Sequence, residues 1–232
     1  MEFLSNIELY YTELIDEKKN QLIIADEEYN HLIKVMRHNA GDIFYVTDGK
    51  GKIYKCEILF VEKRLLSAGI LESYTYPEKN KNIYFCLPKL KHHDRFDFAL
   101  EKCVELGIIN FIIFDSDRAI SKGDKSERWY KIAAAAMKQS LQSYLPKIEF
   151  IKNLKLLSER GGVKILFEQN SNKSIQEFLL DVNKNYYFIF GPEGGLTEIE
   201  LSYFAEENYY KLANNRLRTE TAIIKAASLL SK

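Results

Sequence analysis

Two stretches concentrate the residue types that could do chemistry: Gly191-Pro192-Glu193-Gly194-Gly195, and the run Arg216 to Glu220, in which two arginines flank Leu217. Glycine allows backbone angles and close approaches that a Cβ would forbid, and proline has no N–H to give a sheet. The first stretch therefore reads as a tight loop that offers bare backbone groups to a ligand. Its spacing is neither G-x-G-x-x-G nor G-x-x-x-x-G-K-[ST], so neither standard nucleotide fingerprint applies. Glu193 would repel a phosphate, which points to a ligand with a positive centre or free hydroxyls. A plain connection between a strand and a helix would account for the glycines alone.

The neighbouring elements give that loop its place. Tyr186 to Phe190 is a continuous apolar and aromatic run, the pattern of a strand buried on both faces. Thr197 and Glu200 have capping-box spacing, predicting a helix that runs through Ile199, Leu201, Phe204 and Ala205. Thr219 is a second capping candidate, opening an apolar helix through Ile223, Ile224, Ala227, Leu229 and Leu230. Strand, glycine loop and helix start together make a ligand place at the carboxyl edge of a sheet.

Upstream, Ile83–Leu87, Ile108–Phe114 and Val163–Phe167 read as strands, alternating with helices over Arg95–Leu106 and Trp129–Leu141. Such alternation predicts parallel strands with helices on both faces. Residues 1–72 are different: strands at Ile43–Val46, Ile53–Ile58 and Leu65–Ile70, a hairpin turn at Asp48–Gly51 and a short helix over Glu28–Arg37 predict a small β-rich module, barrel-like if closed. The polar, proline-containing residues 73–82 mark the expected boundary, leaving residues 83–232 as the second domain.

Formal net charge is zero, so the whole-molecule field does not announce a nucleic-acid partner. Residues 1–72 hold 9 Lys/Arg against 13 Asp/Glu, and residues 73–232 hold 24 against 20, so the second part is the side better suited to an anion. Lys89, Lys91, His92, His93 and Arg95 crowd the link between a strand and a helix, where they suit phosphate contacts or simply a solvated loop. Lys34, Arg37 and His38 are either a solvated helix end or RNA contacts, and Glu101, Lys102 and Glu105 lie at ion-pairing distance along a helix. Cys56, Cys86 and Cys103 lack C-x-x-C spacing, so no zinc site or disulfide framework follows. An acidic N-terminus and the lack of any long uninterrupted apolar window make the cytoplasm the expected compartment.

GPEGGLTEIE and LRTETA resemble the two C-terminal signatures of the RsmE-type family of ribosomal RNA methyltransferases, members of the SPOUT class with its C-terminal trefoil knot. HLIKVMRHNAGDIFYVTDGKG is similar to the family's N-terminal PUA-like domain, with Met36 where leucine is commoner. In LKHHDRFDFALEKCVELGI, Arg95, Lys102, Glu105 and Gly107 match the family pattern; in AMKQSLQSYLP, Gln139, Ser140 and Pro146 match while Lys138 and Gln142 replace an acid and an arginine. Ala213 and Arg216 also depart from the usual glycine and aliphatic residue.

The resemblance implies an α/β fold, a SPOUT-type knotted domain with a parallel sheet preceded by a small PUA-like β-barrel. It implies S-adenosyl-L-methionine-dependent methylation of N3 of a uridine in 16S rRNA of the small ribosomal subunit, by a homodimer. The cofactor residues would be Leu166, Phe167, Gly191, Glu193, Gly194, Gly195, Leu212, Leu217 and Thr219. RNA contacts would come from Lys34, Arg37, Lys89, Lys91, Arg95 and Lys102. Arg218 would hold the charge that develops when uridine N3 loses its proton, with Glu220 or Glu193 taking that proton or orienting the arginine. An Arg218–Glu220 ion pair holding the last helix is the competing account. Two other functions stay open: a non-catalytic RNA-binding or ribosome-assembly factor on the same fold, and a tRNA methyltransferase.

Overall fold

The computed structural model describes residues 6–120 and 122–231, divided between two units: Met1–Glu78 with Met137–Leu145, and Lys79–Ala136 with Pro146–Lys232. In the first, β1 (Leu9–Tyr11), β2 (Ile15–Asp16), β3 (Gln21–Ala25), β4 (Ile43–Thr47), β5 (Lys52–Val61) and β6 (Leu65–Thr75) form one sheet in the order β1-β4-β5-β6-β3-β2. β1 runs parallel to β4 and every other pair is antiparallel. Alternation decides what each strand buries: Leu22 and Ile24 of β3, Phe44 and Val46 of β4, and Leu66 and Ala68 of β6 join Tyr10, Leu32, Cys56 and Ile58 in one core. Thr12, just after β1, links β4 to β3 across the order: its N–H donates to Thr47 O at 3.2 Å and its hydroxyl to Ile23 O at 2.8 Å, drawing the two sides of the sheet together. Register slips between Lys55 and Cys56 and between Ile58 and Phe60 supply the bends that closure needs.

The expected helix is α1 (Asp26–Tyr29) continuing as a π-helical turn over Asn30–Val35. β1 to β3 were not among the expected strands; β1 and β2, at three and two residues, show no period to read. Two observations bear on the expected partition. β6 continues through Ser73–Thr75, inside the expected linker. Met137–Leu145 belongs with the barrel, because Gly51 N–H and Thr47 Oγ1 both donate to Ser143 O, at 3.0 and 3.1 Å, and Leu145 N–H donates to Gly49 O at 2.9 Å.

In the second unit, β7 (Ile83–Pro88), α2 (His93–Glu105), β8 (Asn110–Phe114), α3 (Ser126–Gln139), β9 (Lys147–Ile151), α4 (Lys155–Ser158), β10 (Val163–Phe167), β11 (Tyr186–Ile189), α5 (Glu198–Leu201), β12 (Tyr209–Tyr210) and α6 (Thr219–Leu230) follow in chain order. The strands form an all-parallel sheet ordered β12-β10-β11-β7-β8-β9. β11 is central and wholly buried, as its unbroken apolar run requires. Phe188 meets Phe85 and Phe167 at centroid distances of 6.0 Å, and Phe190 meets the same two rings at 5.3 and 4.9 Å. Burying each such ring stabilises the fold by about 1.5–3 kcal/mol, and the stack fixes the chain as it leaves β10 and β11 for the loops beyond them. α2 buries Phe96, Ala99, Leu100, Cys103 and Val104 at helical spacing and packs against α6, ending at Gly107, whose φ of +85° suits glycine at a helix end.

Two expectations about helices are corrected. Thr197 and Glu200 do form the capping box, but α5 stops at Leu201; Phe204 is buried beyond the helix, and the Tyr209 hydroxyl serves the carbonyls of Leu201 and Phe204 at 2.8 and 3.4 Å. Thr219 is not the cap of α6. Arg218 holds that position with extended backbone, and Thr219 is the first helical residue, its hydroxyl donating to Gly191 O at 3.1 Å.

Candidate active site

The carboxyl ends of β10 and β11, the Gly191–Leu196 loop, the Leu212–Arg218 segment and the first turn of α6 enclose a cleft of about 780 Å³. Small-molecule sites typically measure roughly 300–1,000 Å³, so the space suits a cofactor-sized ligand. Of the residues expected to hold a cofactor, Phe167, Gly191, Glu193, Gly194, Gly195, Leu212, Leu217 and Thr219 all line it. Leu166 does not: at 1% exposure it faces the sheet core, one residue before the strand end that reaches the cleft.

Four carbonyls of the glycine loop are spoken for. Gly195 N–H donates to Pro192 O at 2.9 Å, Thr219 Oγ1 to Gly191 O, and Arg118 Nη1 to Gly194 O and Leu196 O at 3.1 and 3.3 Å. What the loop keeps for a ligand is its N–H groups other than that of Gly195, which is used at Pro192 O. Glu193 is tied from behind, its carboxylate accepting the Lys91 N–H at 3.2 Å.

The charged residues in the cleft balance: Arg95, Arg216 and Arg218 against Glu168, Glu193 and Glu220. The competing Arg218–Glu220 pair is replaced. Glu220 Oε1 lies 3.7 Å from Arg95 Nε, while Arg218 is exposed at the cleft wall. Glu220 Oε2 is buried and has no partner among the described residues. A buried carboxylate oxygen left unpaired is costly, so this one is poised to accept a donor brought by a ligand.

The expected RNA residues separate. Arg95 lines the cleft and Lys91 is exposed beside its loop. Lys34 and Arg37 are exposed on the barrel unit. Lys89 is a correction: it is only 3% exposed, ion-paired with Asp115, hydrogen-bonded to Gly123 O and placed over the Phe150 ring, so its charge is used inside the protein. Lys102 is clamped between Glu101 and Glu105, both at 2.7 Å, which hold its ammonium protonated above the usual lysine range. Arg118 and Gln169 were not foreseen; Gln169 Nε2 donates to Ala213 O at 3.3 Å, tying the β10 end to the Leu212 segment. Each is a lone polar residue in a loop, with no spacing to mark it. Among the described residues no helix is long and apolar enough to cross a membrane.

Residues 77–231 match the RNA methyltransferase domain family, and residues 24–71 match the RNA methyltransferase PUA domain. The chain is similar to ribosomal RNA small subunit methyltransferase E of Bacillus subtilis, at 30% identity covering 96% of this chain and 95% of that protein. The chain belongs to this methyltransferase family. Ribosomal RNA small subunit methyltransferase E 1 of Borreliella burgdorferi is 31% identical, with 93% of this chain and 94% of that protein covered. The crystal structure of the family member from Neisseria gonorrhoeae, bound to S-adenosyl methionine, superposes with a TM-score of 0.84 at 26% identity and 96% coverage of both chains. The family's fold class, a PUA-like module followed by a SPOUT-type α/β domain, is thus the one expected from the motifs.

Proposed function

We propose that this chain is an S-adenosyl-L-methionine-dependent methyltransferase that modifies N3 of a uridine in 16S rRNA of the small ribosomal subunit. The observation that carries the reading is the cleft itself: eight of the nine residues expected at a cofactor line one cavity at the carboxyl edge of the parallel sheet. The loop's N–H groups suit the acceptor atoms of an adenine and ribose, Phe167, Leu212 and Leu217 suit the flat faces of the ring, and the carboxylates of Glu168, Glu193 and Glu220 suit a ligand with a positive centre. When bound, the cofactor supplies an electrophilic methyl group on a sulfonium.

The protein's own part is to manage a proton and a charge. Uridine N3 carries a weakly acidic hydrogen that must leave before the nitrogen can attack. Glu220 Oε2, without a hydrogen-bond partner among the described residues, is the group we assign to accept or direct that proton. Arg218, exposed at the cleft wall, is the group we assign to stabilise the negative charge spread over the base. Arg95 orients Glu220 from α2 and is the third cation able to meet a phosphate or the base. We further propose a homodimer formed through the second unit, supported by exposed Phe98, Tyr130 and Leu229 on α2, α3 and α6.

Calorimetry with S-adenosyl-L-methionine, followed by transfer of labelled methyl to small-subunit RNA and mass-spectrometric assignment of the modified nucleoside, tests the reading. Saturable binding with label on uridine N3 is expected. Absence of binding at high micromolar cofactor would overturn it, label on another atom would overturn the N3 assignment, and RNA retention without label would favour the non-catalytic factor. Light scattering at assay concentration should give twice the chain mass of 27.1 kDa.

A further inference from the structure

We infer that Arg118 is a latch that holds the glycine loop in its cofactor-receiving shape, a positioning residue for the transfer that rests on the proposed reading of the cleft. Arg118 sits in the β8–α3 connection, far in sequence from the loop. Its Nη1 nevertheless donates to both Gly194 O and Leu196 O, at 3.1 and 3.3 Å. The residue before it is anchored independently: Asp117 N–H donates to Glu200 Oε1 at 3.0 Å. Glu200 is itself only 4% exposed, and its other oxygen accepts from Thr197 N–H and Thr197 Oγ1 at 2.8 and 3.1 Å. The C-terminal half of the loop and the helix start that follows it are thereby joined to one connection.

Gly194 lies alongside Arg118, where a Cβ would reach Arg118 Cβ at 3.4 Å, an ordinary contact. The chemical effect concerns which face of each peptide the cleft sees. A guanidinium stays charged at every accessible pH and cannot accept a hydrogen bond, so it holds the Gly194 and Leu196 carbonyls, while the N–H groups of the same two peptides, Gly195 and Thr197, are held by Pro192 O and Glu200 Oε2; both peptide planes are thus fixed at either edge. Without it, Gly194 O and Leu196 O lose their partner and are free to turn towards water or the cleft. The loop would then present acceptors where the ligand also has acceptors.

Arg118 is exposed, and an exposed arginine beside a nucleic-acid site has an obvious competing use as a phosphate contact. The full-length chain with Arg118→Ala and Arg118→Lys separates the two. Hydrogen exchange of the cofactor-free protein should show faster exchange over residues 190–197 in Arg118→Ala, with the barrel unit and the thermal midpoint unchanged. S-adenosyl-L-methionine affinity and its KM should worsen roughly tenfold, the expectation for losing hydrogen bonds to a charged donor, while the KM for RNA and its salt dependence stay as in wild type. Arg118→Lys, which can offer an ammonium to the same carbonyls, should recover part of the loss. Unchanged exchange over residues 190–197 would overturn the latch. So would a weakened RNA interaction with a shallower salt slope and intact cofactor affinity. If wild type binds no cofactor, the proposed function fails, and the exchange experiment still decides the latch.

Discussion

The hairpin Asp48–Gly51 in the barrel unit and the loop Gly191–Leu196 in the second unit each use glycines, and they differ in what lies beside them. A Cβ at Gly49 would stand 2.9 Å from both Leu145 Cβ and Tyr11 Cε2, and one at Gly51 would stand 2.5 Å from Tyr144 Cζ. Around the second loop, Cβ atoms at Gly191, Gly194 and Gly195 would meet nothing nearer than 3.7, 3.4 and 3.9 Å. The first glycines are required because the protein fills the space next to them. The second leave room that the protein does not fill, and that room opens on the cleft.

Carboxylates repeat the contrast. In the barrel unit Glu28 has both oxygens in use, Oε1 with Lys138 Nζ and Oε2 accepting the Tyr11 N–H at 3.3 Å. In the cleft, Glu220 has one oxygen near Arg95 and the other buried without a partner among the described residues. A satisfied polar group is part of the fold; an unsatisfied one in a cavity is an indication of something that arrives later.

The sharpest way to break the comparison is Gly51→Ala. Its φ of +107° is poorly tolerated by any residue with a Cβ, and the added methyl would meet the Tyr144 ring. Backbone strain of about 1–3 kcal/mol and overpacking of about 1–3 kcal/mol predict a loss near 3 kcal/mol or more in urea unfolding. A loss below about 1 kcal/mol would mean that the hairpin is not the packed site described.

Next in size, and opposite in kind, are Arg218→Ala and Glu220→Gln. Each should lower methyl transfer about a hundredfold, the scale seen when one preorganised charge-stabilising group is removed, with the thermal midpoint held. Near wild-type transfer in Arg218→Ala would remove it as the charge stabiliser. Gly195→Ala then sharpens the glycine contrast. Its φ is +70° and its nearest neighbour is 3.9 Å away, so only the left-handed backbone opposes the substitution, at roughly 1 kcal/mol. Equal losses for Gly195→Ala and Gly51→Ala would erase the distinction between filled and open space.

How much of this was readable in the sequence follows the same division. Long apolar runs such as Tyr186–Phe190 and the capping pair Thr197/Glu200 announce themselves, because burial and capping act between near neighbours in the chain. Long-range satisfaction leaves no such mark. The bond from Thr47 Oγ1 to Ser143 O joins residues 96 apart, so the contacts of Met137–Leu145 with the barrel strands leave no mark in the sequence. Lys89 looked like one more cation in a basic cluster, since nothing local reveals that Asp115 lies across from it. Arg118 and Gln169 were invisible for the converse reason: their function is to reach carbonyls far along the chain.

Lys138 gives the smallest predicted effect and the finest test. By the sequence resemblance, it replaces an acid. In the structure Lys138 pairs with Glu28 inside the barrel unit, the side chains 26% and 18% exposed. Partial burial makes the pair worth more than a surface ion pair, whose usual value is about 0–1 kcal/mol, and Glu28 keeps its bond from Tyr11 when the lysine is truncated. Lys138→Ala should therefore cost about 1 kcal/mol of stability. A double-mutant cycle with Glu28→Gln should show that most of that loss is coupling between the two, and S-adenosyl-L-methionine affinity should be unchanged in all three variants. Reduced methyl transfer in Lys138→Ala at wild-type stability would contradict this, because it would place at the reaction a residue whose charge the barrel already satisfies.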